Sequence, residues 1–151
     1  MKNYEKFMRI ALSEAKKSLL ESEVPIGAAI TQNNELISVG HNKREASKNS
    51  LFHAEILAIK RACRTLKNWR LSNCEIYVTL EPCPMCAGAI INSRIKKVIF
   101  GAFDKKSGAC GSVVNLFEYP LNHKPAVISG ILNFECSEIL SKFFEKLRNL
   151  R

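Results

Sequence analysis

Short apolar segments alternate along this chain with longer stretches whose apolar residues recur every three or four positions. The short segments are typical of buried β-strands, and the longer ones of amphipathic helices. Strands are predicted at 24–30, 36–40, 75–80, 96–102 and 126–131, and helices at about 1–20, 53–69, 83–93 and from Asn133 onward. Because such alternation covers both faces of a sheet with helices, the sequence predicts an α/β protein, a three-layer α/β/α sandwich around a central mixed sheet.

Local patterns support these assignments. Pro25 ends the first helix, and Asn33 and Asn34 tolerate the positive φ that a hairpin turn between the first two strands requires. The apolar stripe predicted for the first helix consists of Tyr4, Phe7, Met8, Ala11, Leu12, Ala15 and Leu19. The buried face predicted for the last helix consists of Ile139, Leu140, Phe143, Phe144 and Leu147.

The length of 151 residues is that of one domain. No internal repeat, low-complexity tract or linker divides the sequence, so we expect a single domain over residues 1–151. A domain of this size buries roughly two thirds of its unfolded surface and needs no metal merely to fold. A metal site in it is therefore expected to be catalytic.

The chain is strongly basic. It has 23 Lys and Arg residues against 14 Asp and Glu residues, a formal net charge of +9. Such a charge favours polyanions at close range, and nucleic acid is the first candidate partner. A basic surface can also serve solubility alone, so a motif has to decide between the two.

The amino-terminal segment is charged and amphipathic and has no signal-peptide pattern. The apolar runs are too short to cross a bilayer. Six cysteines are present, and without a secretion signal they are expected to remain thiols in a reducing compartment. These features predict a soluble cytoplasmic protein with no membrane partner.

Two segments carry residues with metal chemistry, His53-Ala54-Glu55 and Pro82-Cys83-Pro84-Met85-Cys86. Cys83 and Cys86 lie three apart at the start of a predicted helix, so both sulfurs fall on one face near free backbone N–H groups that favour thiolates. With His53 they make three zinc ligands, which leaves one tetrahedral position open for water. The pattern predicts one catalytic Zn²⁺ per chain.

Glu55 follows the histidine by two positions and is not needed as a ligand. It can point back toward a metal-bound water, which is the position of a proton shuttle. Taken singly, Glu55 could instead complement a helix dipole, and a lone C-x-x-C could serve redox or structural zinc. Both halves together match the H-x-E…P-C-x-x-C signature already known from zinc nucleobase deaminases.

Longer blocks extend this match over nearly the whole chain. VPIGAAI, HN at 41–42, HAEILAI and EPCPMC resemble guanine and cytosine deaminases as well, so they indicate only the cytidine deaminase-like superfamily. NHKPAV and the closing ECSEILSKFFEKLR also resemble blocks of the bacterial tRNA-specific adenosine deaminases, and SRIKKVIFGAFDKKSGACGS and the terminal helix with Phe143-Phe144 narrow the resemblance to that family. The resemblance implies a homodimeric zinc enzyme that converts adenosine to inosine at the wobble position (34) of a tRNA anticodon.

The resemblance also implies roles for individual residues. Zinc held by His53, Cys83 and Cys86 would activate water for attack at C6 of adenine, and Glu55 would transfer the protons. The substrate-binding residues that it implies are Asn42 for the nucleoside, backbone groups near Val24, Pro25 and Pro82 for the pocket, Asp104 for the RNA sugar, and Phe144 for the anticodon loop. Phe144 could equally be a core residue, and Asp104 could be a turn-former.

Basic residues near these positions are candidate phosphate partners as a cluster, whereas any single one is expected to be solvated. They are Lys105, Lys106, Lys142, Lys146, Arg148 and Arg151. The chain departs from the resemblance just before His53, where Asn49-Ser50-Leu51-Phe52 replaces the usual Asp-Pro-Thr-Ala. The ligands are retained, and the shape of this loop is the feature in doubt.

Two alternatives remain open. One is a guanine or cytosine deaminase of the same superfamily that acts on free bases, for which the basic surface would be incidental. The other is a non-catalytic RNA-binding module with structural zinc, which would need a fourth protein ligand. An assay of free bases against an anticodon stem-loop separates the first alternative from a tRNA enzyme.

Overall fold

The structure is a computed structural model that describes residues 3–150. Its helices and strands in chain order are α1 (Tyr4–Leu20), β1 (Gly27–Gln32), β2 (Glu35–His41), α2 (Ala54–Leu66), β3 (Cys74–Leu80), α3 (Pro84–Asn92), β4 (Lys97–Ala102), β5 (Ala126–Ile128) and α4 (Asn133–Asn149). Each predicted element is present, with its ends shifted by a few residues. A short 3₁₀ helix at Leu116–Glu118 was not predicted.

The strands form one sheet with the order β2-β1-β3-β4-β5. β1 is antiparallel to β2 and to β3, whereas β3, β4 and β5 are parallel. The turn between β1 and β2 has φ of 52° at Asn33 and 63° at Asn34, as the hairpin prediction required. The predicted mixed sheet is confirmed.

Both faces of the sheet are buried because side chains alternate along each strand. Ile76 and Val78 of β3 belong to a core cluster with residues of α2 and α3. Tyr77, between them, belongs to a second cluster with residues of α1 and α4. Helices therefore cover both faces, which confirms the three-layer α/β/α sandwich.

Helix α2 approaches the sheet closely at Gly40. An added Cβ at this residue of β2 would overlap the Ala54 carbonyl oxygen in the first turn of α2. A side chain there would push the start of α2 away from the sheet. Gly40 thus helps to determine the position of His53 and Glu55, which lie at that helix start.

Two details of the predicted helix faces were wrong. Leu19 is 40% exposed, because the buried stripe of α1 ends with Ser18, whose hydroxyl donates to the Asn42 carbonyl at 2.8 Å. In α4 the buried residues are Cys136 and Leu140, while Phe144 and Leu147 are 41% and 39% exposed. The last turns of α4 extend beyond the two core clusters, so helical periodicity alone overestimated the burial there.

No helix within residues 3–150 is long and apolar enough to cross a membrane. All six cysteines are free thiols. The single-domain boundary of 1–151 stays a prediction.

Candidate active site

Several elements end or begin at one edge of the sheet. β3 and β4 both end there, and because β1 is antiparallel to its neighbours, β1 begins and β2 ends at the same edge. The residues adjoining these ends are Val24 before β1, Asn42 after β2, Cys83 after β3 and Asp104 after β4. Loops at the carboxyl ends of parallel strands are the usual binding sites of open α/β sheets.

The three predicted metal ligands meet at this edge. His53 is the residue before α2, Cys83 is the residue before α3, and Cys86 lies in the first turn of α3, where Pro84 needs no N–H partner. The His53 Nδ1 atom lies 3.7 Å from the Cys83 Sγ and 3.6 Å from the Cys86 Sγ. All the candidate ligand atoms lie within 4.8 Å of one another.

These distances fit zinc. Bonds of about 2.3 Å to sulfur and about 2.05 Å to nitrogen, at a tetrahedral angle, separate the two ligand atoms by about 3.6 Å. One imidazole and two thiols also form a donor set that zinc prefers. Among residues 3–150 no fourth Cys, His, Asp or Glu joins the cluster, so the structural-zinc alternative has no support from a fourth ligand.

The two sulfurs differ in their affinity for protons. A hydrogen bond from Cys86, assisted by His53, lowers the pKa of the Cys83 thiol to about 4. The same hydrogen bond, together with burial, raises the pKa of Cys86. The hydrogen bond with Cys83 also raises the pKa of His53. The lowered pKa of Cys83 favours its thiolate, which is the form that binds a metal.

Glu55 lies in the first turn of α2 and is 4% exposed. Burial raises the pKa of its carboxyl to about 7, against an ordinary value of 4.5. A carboxyl with a pKa near the working pH can both accept and donate a proton. Glu55 therefore has the electrostatic properties of a general acid and base.

A cavity of about 200 Å³ opens beside the three candidate metal ligands. Of the predicted site residues, its walls include Val24, Asn42, His53, Glu55, Cys83, Asp104 and Phe144. Cys86 is fully buried. Pro25 and Pro82 are buried beside the cavity and are not among its lining residues. The cavity is concave, and most of its exposed lining surface is apolar although several polar side chains face it, as is common in small-molecule sites.

Sequence reasoning missed part of this wall. The additional lining residues are Ile26, Arg44, Ala54, Leu80, Glu81 and Ser107. Arg44 follows Asn42 by two positions, and Glu81 directly precedes the Pro82-Cys83 pair. Their proximity in sequence to predicted site residues could therefore have identified them as residues of the cavity wall. Ser107 lies in a loop whose path the sequence did not determine.

Asn42 is buried and held at both ends of its side-chain amide. The Nδ2 donates to the Val24 carbonyl at 3.3 Å, and the Oδ1 accepts from the Arg44 amide at 3.3 Å. These bonds orient the amide at the wall of the cavity, where an oriented amide can recognise a nucleoside.

Asp104 forms a turn. Its Oδ1 accepts from the backbone N–H groups of Lys106 at 3.0 Å and Ser107 at 3.2 Å, and its Oδ2 accepts from the Ser107 hydroxyl at 2.8 Å. The turn-forming interpretation is therefore correct for the RNA-free chain. Contact with an RNA sugar stays a prediction.

A second cavity of about 700 Å³ adjoins the first beside α4. Phe144 belongs to the walls of both cavities and its ring is exposed, so it is not a core residue. Its contact with an anticodon loop stays a prediction. Lys105, Lys106 and Arg148 also line the second cavity. Lys142 instead pairs with Glu138 at 2.7 Å, and Arg151 lies outside the described residues.

The segment that departs from the resemblance leaves the ligands in place. The ring of Phe52 lies 5.1 Å from the Lys60 Nζ atom on α2, and its backbone carbonyl accepts from the Lys43 amide at 3.1 Å. Phe52 is not among the residues that line the cavity. The Phe52 side chain thus packs against α2 beside the candidate metal ligands.

Comparisons with known proteins agree with this site. A family model described as MafB19-like deaminase matches residues 2–148. The chain is 51% identical over 145 residues to the tRNA-specific adenosine deaminase of Bacillus subtilis (strain 168), which covers 95% of this chain and 90% of that protein.

Solved structures extend the agreement to the fold. A tRNA:A34 deaminase, studied for A-to-I editing at the wobble position of transfer RNA, has a TM-score of 0.87 at 42% identity and covers 89% of this chain and 99% of that chain. The guanine deaminase of Nitrosomonas europaea has a TM-score of 0.79 at 23% identity and covers 95% of this chain and 85% of that chain, a likeness of fold alone. The expected cytidine deaminase-like fold is confirmed, and the chain belongs to the tRNA-specific adenosine deaminase family.

Proposed function

We propose that this protein catalyses the zinc-dependent hydrolytic deamination of adenosine to inosine at the wobble position (34) of a tRNA anticodon. The observation that carries the proposal is the cavity beside His53, Cys83 and Cys86 with the buried Glu55 in its wall. The substrate is supported by the 51% identity to a tRNA-specific adenosine deaminase and by the structural likeness to a tRNA:A34 deaminase.

His53, Cys83 and Cys86 would hold the Zn²⁺ ion, since their separations fit its bond lengths. When bound, zinc supplies a water molecule of lowered pKa that is nucleophilic at neutral pH. The lowered pKa of Cys83 favours the thiolate that a divalent cation binds, and Cys86, whose pKa is raised, would release its proton on binding the metal.

Glu55 would move the protons. As water adds to C6 of adenine, the Glu55 carboxylate accepts a proton from the water and delivers it to N1. Glu55 then takes the proton of the new C6 hydroxyl and passes it to the amino group, the C6–N6 bond breaks, and ammonia leaves. The products are inosine and ammonia, and Glu55 ends as the carboxylate. The raised pKa of Glu55, about 7, suits both transfers.

The cavity accepts a base only if the nucleotide leaves its stack, which is easiest in a loop. The anticodon stem-loop of a tRNA offers such a base. Asn42 would hold the nucleoside, and Phe144 would contact the neighbouring nucleotides. Lys105, Lys106 and Arg148 lie beside the second cavity, where they can neutralise phosphates.

A homodimer and a cytoplasmic location are part of the proposal. Segment 113–121 leaves large apolar side chains exposed, which suits a partner surface. They are Val113, Val114, Tyr119 and Leu121. Sedimentation of the purified protein tests the dimer, and a monomeric mass at micromolar concentration would contradict it.

The decisive experiment compares zinc content and inosine formation in the wild type, Glu55→Ala and the control Glu5→Ala, which changes an exposed glutamate of α1. The substrate is an anticodon stem-loop, with free guanine and cytosine in parallel. We expect about one zinc per chain in all three proteins, and a fall of roughly 100-fold or more in inosine formation for Glu55→Ala only. Turnover of free bases without RNA turnover would favour the free-base alternative.

A further inference from the structure

Glu81 is a buried glutamate between the end of β3 and the Pro82-Cys83 pair, and it is 2% exposed. Its Oε1 accepts from the Asp104 amide at 3.1 Å and from the Ser112 hydroxyl. Its Oε2 accepts from the amides of Cys110 at 3.0 Å and Ser112 at 3.1 Å. A carboxylate has about four lone-pair positions, so these four donors occupy all of its accepting capacity.

The loop 104–112 lies directly on the segment around Glu81. The Ala109 amide donates to the Pro82 carbonyl at 2.8 Å. At Gly108 an added Cβ would overlap the Glu81 carboxyl carbon and the Asp104 carbonyl oxygen. The carboxylate and the loop backbone are therefore packed too closely for another side chain to fit between them.

This loop contributes Asp104 and Ser107 to the wall of the first cavity. Glu81 thus joins the segment that carries Cys83 to the loop that faces a substrate. Because donors from the loop surround its carboxylate, Glu81 is not available for proton transfer. Glu81 also belongs to the wall of the first cavity, but all of its accepting positions are directed to the loop, so its main effect on a reaction is expected through the position of that loop.

We propose that Glu81 is a positioning residue that holds loop 104–112 in its binding conformation before RNA arrives. The identity of the substrate in this inference rests on the proposed function, whereas the contacts between Glu81 and the loop do not depend on it. A loop that is already ordered costs less to order on binding. Loss of hydrogen bonds between Glu81 and the loop should therefore weaken productive RNA binding and leave the rate of the chemical step nearly unchanged.

The variant Glu81→Gln tests one side of the carboxylate. The glutamine Nε2 cannot accept, so it faces either the Asp104 amide with the Ser112 hydroxyl or the two amides of Cys110 and Ser112. The hydroxyl can reverse and accept, whereas the amides cannot. Glutamine therefore keeps the bonds to Cys110 and Ser112 and releases the Asp104 amide.

Amide hydrogen exchange of the RNA-free protein measures this directly. We expect the Asp104 amide to exchange about tenfold or more faster in Glu81→Gln, with the Cys110 amide changed by less than about threefold. The matched control is Glu75→Gln, a buried glutamate near the start of β3, the strand that precedes Glu81, and it is paired with Lys97 at 3.7 Å. It should leave both amides unchanged, and equal exchange at Asp104 in wild type and Glu81→Gln would overturn the proposal.

Kinetics on an anticodon stem-loop give the second readout. We expect Glu81→Gln to raise KM about tenfold and to change kcat by less than about twofold, with Glu75→Gln near wild type. A loss confined to kcat would contradict a positioning role. If Glu81→Gln does not fold, Ser112→Ala, which removes only the hydroxyl donor, should raise KM in the same direction, and an unchanged KM would overturn the proposal. If the wild type does not act on RNA, the proposed function fails, and amide exchange still decides whether Glu81 holds the loop.

Discussion

Replacing Glu55 with glutamine should stabilise the metal-free protein at neutral pH. Glutamine keeps the size of the side chain and carries no charge. The Glu55 carboxyl has a pKa of about 7 in the folded chain because burial disfavours its charged form. The protonated carboxyl makes its full favourable contribution to the free energy of unfolding below about pH 4.5. This contribution is lost as the pH rises through about 7.

The size of the effect follows from the two pKa values. The difference between about 7 and 4.5, at 1.36 kcal/mol for each pH unit, amounts to about 3 kcal/mol. Glu55→Gln avoids this penalty, so its free energy of unfolding should exceed that of the wild type by about 3 kcal/mol at pH 8 and by little at pH 4. For a chain of this size the gain at pH 8 corresponds to a rise in Tm of about 6 to 12 °C.

Urea unfolding of chelator-treated wild type and Glu55→Gln at pH 4 and pH 8 measures the difference, and comparison at each pH cancels the other titrating groups. The zinc-loaded proteins are the control, because the cation favours the carboxylate and should reduce the gain. Equal unfolding free energies at pH 8, or the same gain at both pH values, would refute the reasoning.

The remaining predictions concern the ligands, the RNA contacts and the carboxyl terminus. Cys83→Ala or Cys86→Ala should remove both zinc and activity, as measured by metal analysis and inosine formation. A variant that is active without zinc would contradict the assignment of the metal ligands. The wild type should prefer an RNA hairpin to its DNA counterpart by at least about tenfold, and Asp104→Asn should narrow this ratio, since asparagine keeps the Oδ1 acceptor of the turn and loses the charge. An unchanged ratio would leave Asp104 as a turn-former only. Removal of residues 146–151 should reduce the slope of log affinity against log salt by about 0.7 to 0.9 for each lost phosphate contact. An unaltered slope would show that this segment makes no phosphate contacts.

The sequence by itself determined the parts of this protein that depend on local spacing. Cys83 and Cys86 come together because three positions make less than one helical turn, and Pro84 marks the helix start. The positive φ at Asn33 and Asn34 follows from the tolerance of asparagine for the left-handed region. Alternating segments likewise predicted the layers and the mixed sheet, since periodicity is a property of each element alone.

Tertiary structure decided whatever depends on residues far apart in the chain. The approach of His53 Nδ1 to the two sulfurs across 30 and 33 positions is a product of strand order. The exposure of Phe144 was not predictable from periodicity, because it depends on where α4 leaves the core. The role of Glu81 was equally hidden, since its hydrogen-bond donors lie 23 to 31 residues away. Local sequence specifies which conformation a segment prefers, whereas the partner of a buried polar group is determined only when the whole chain has packed.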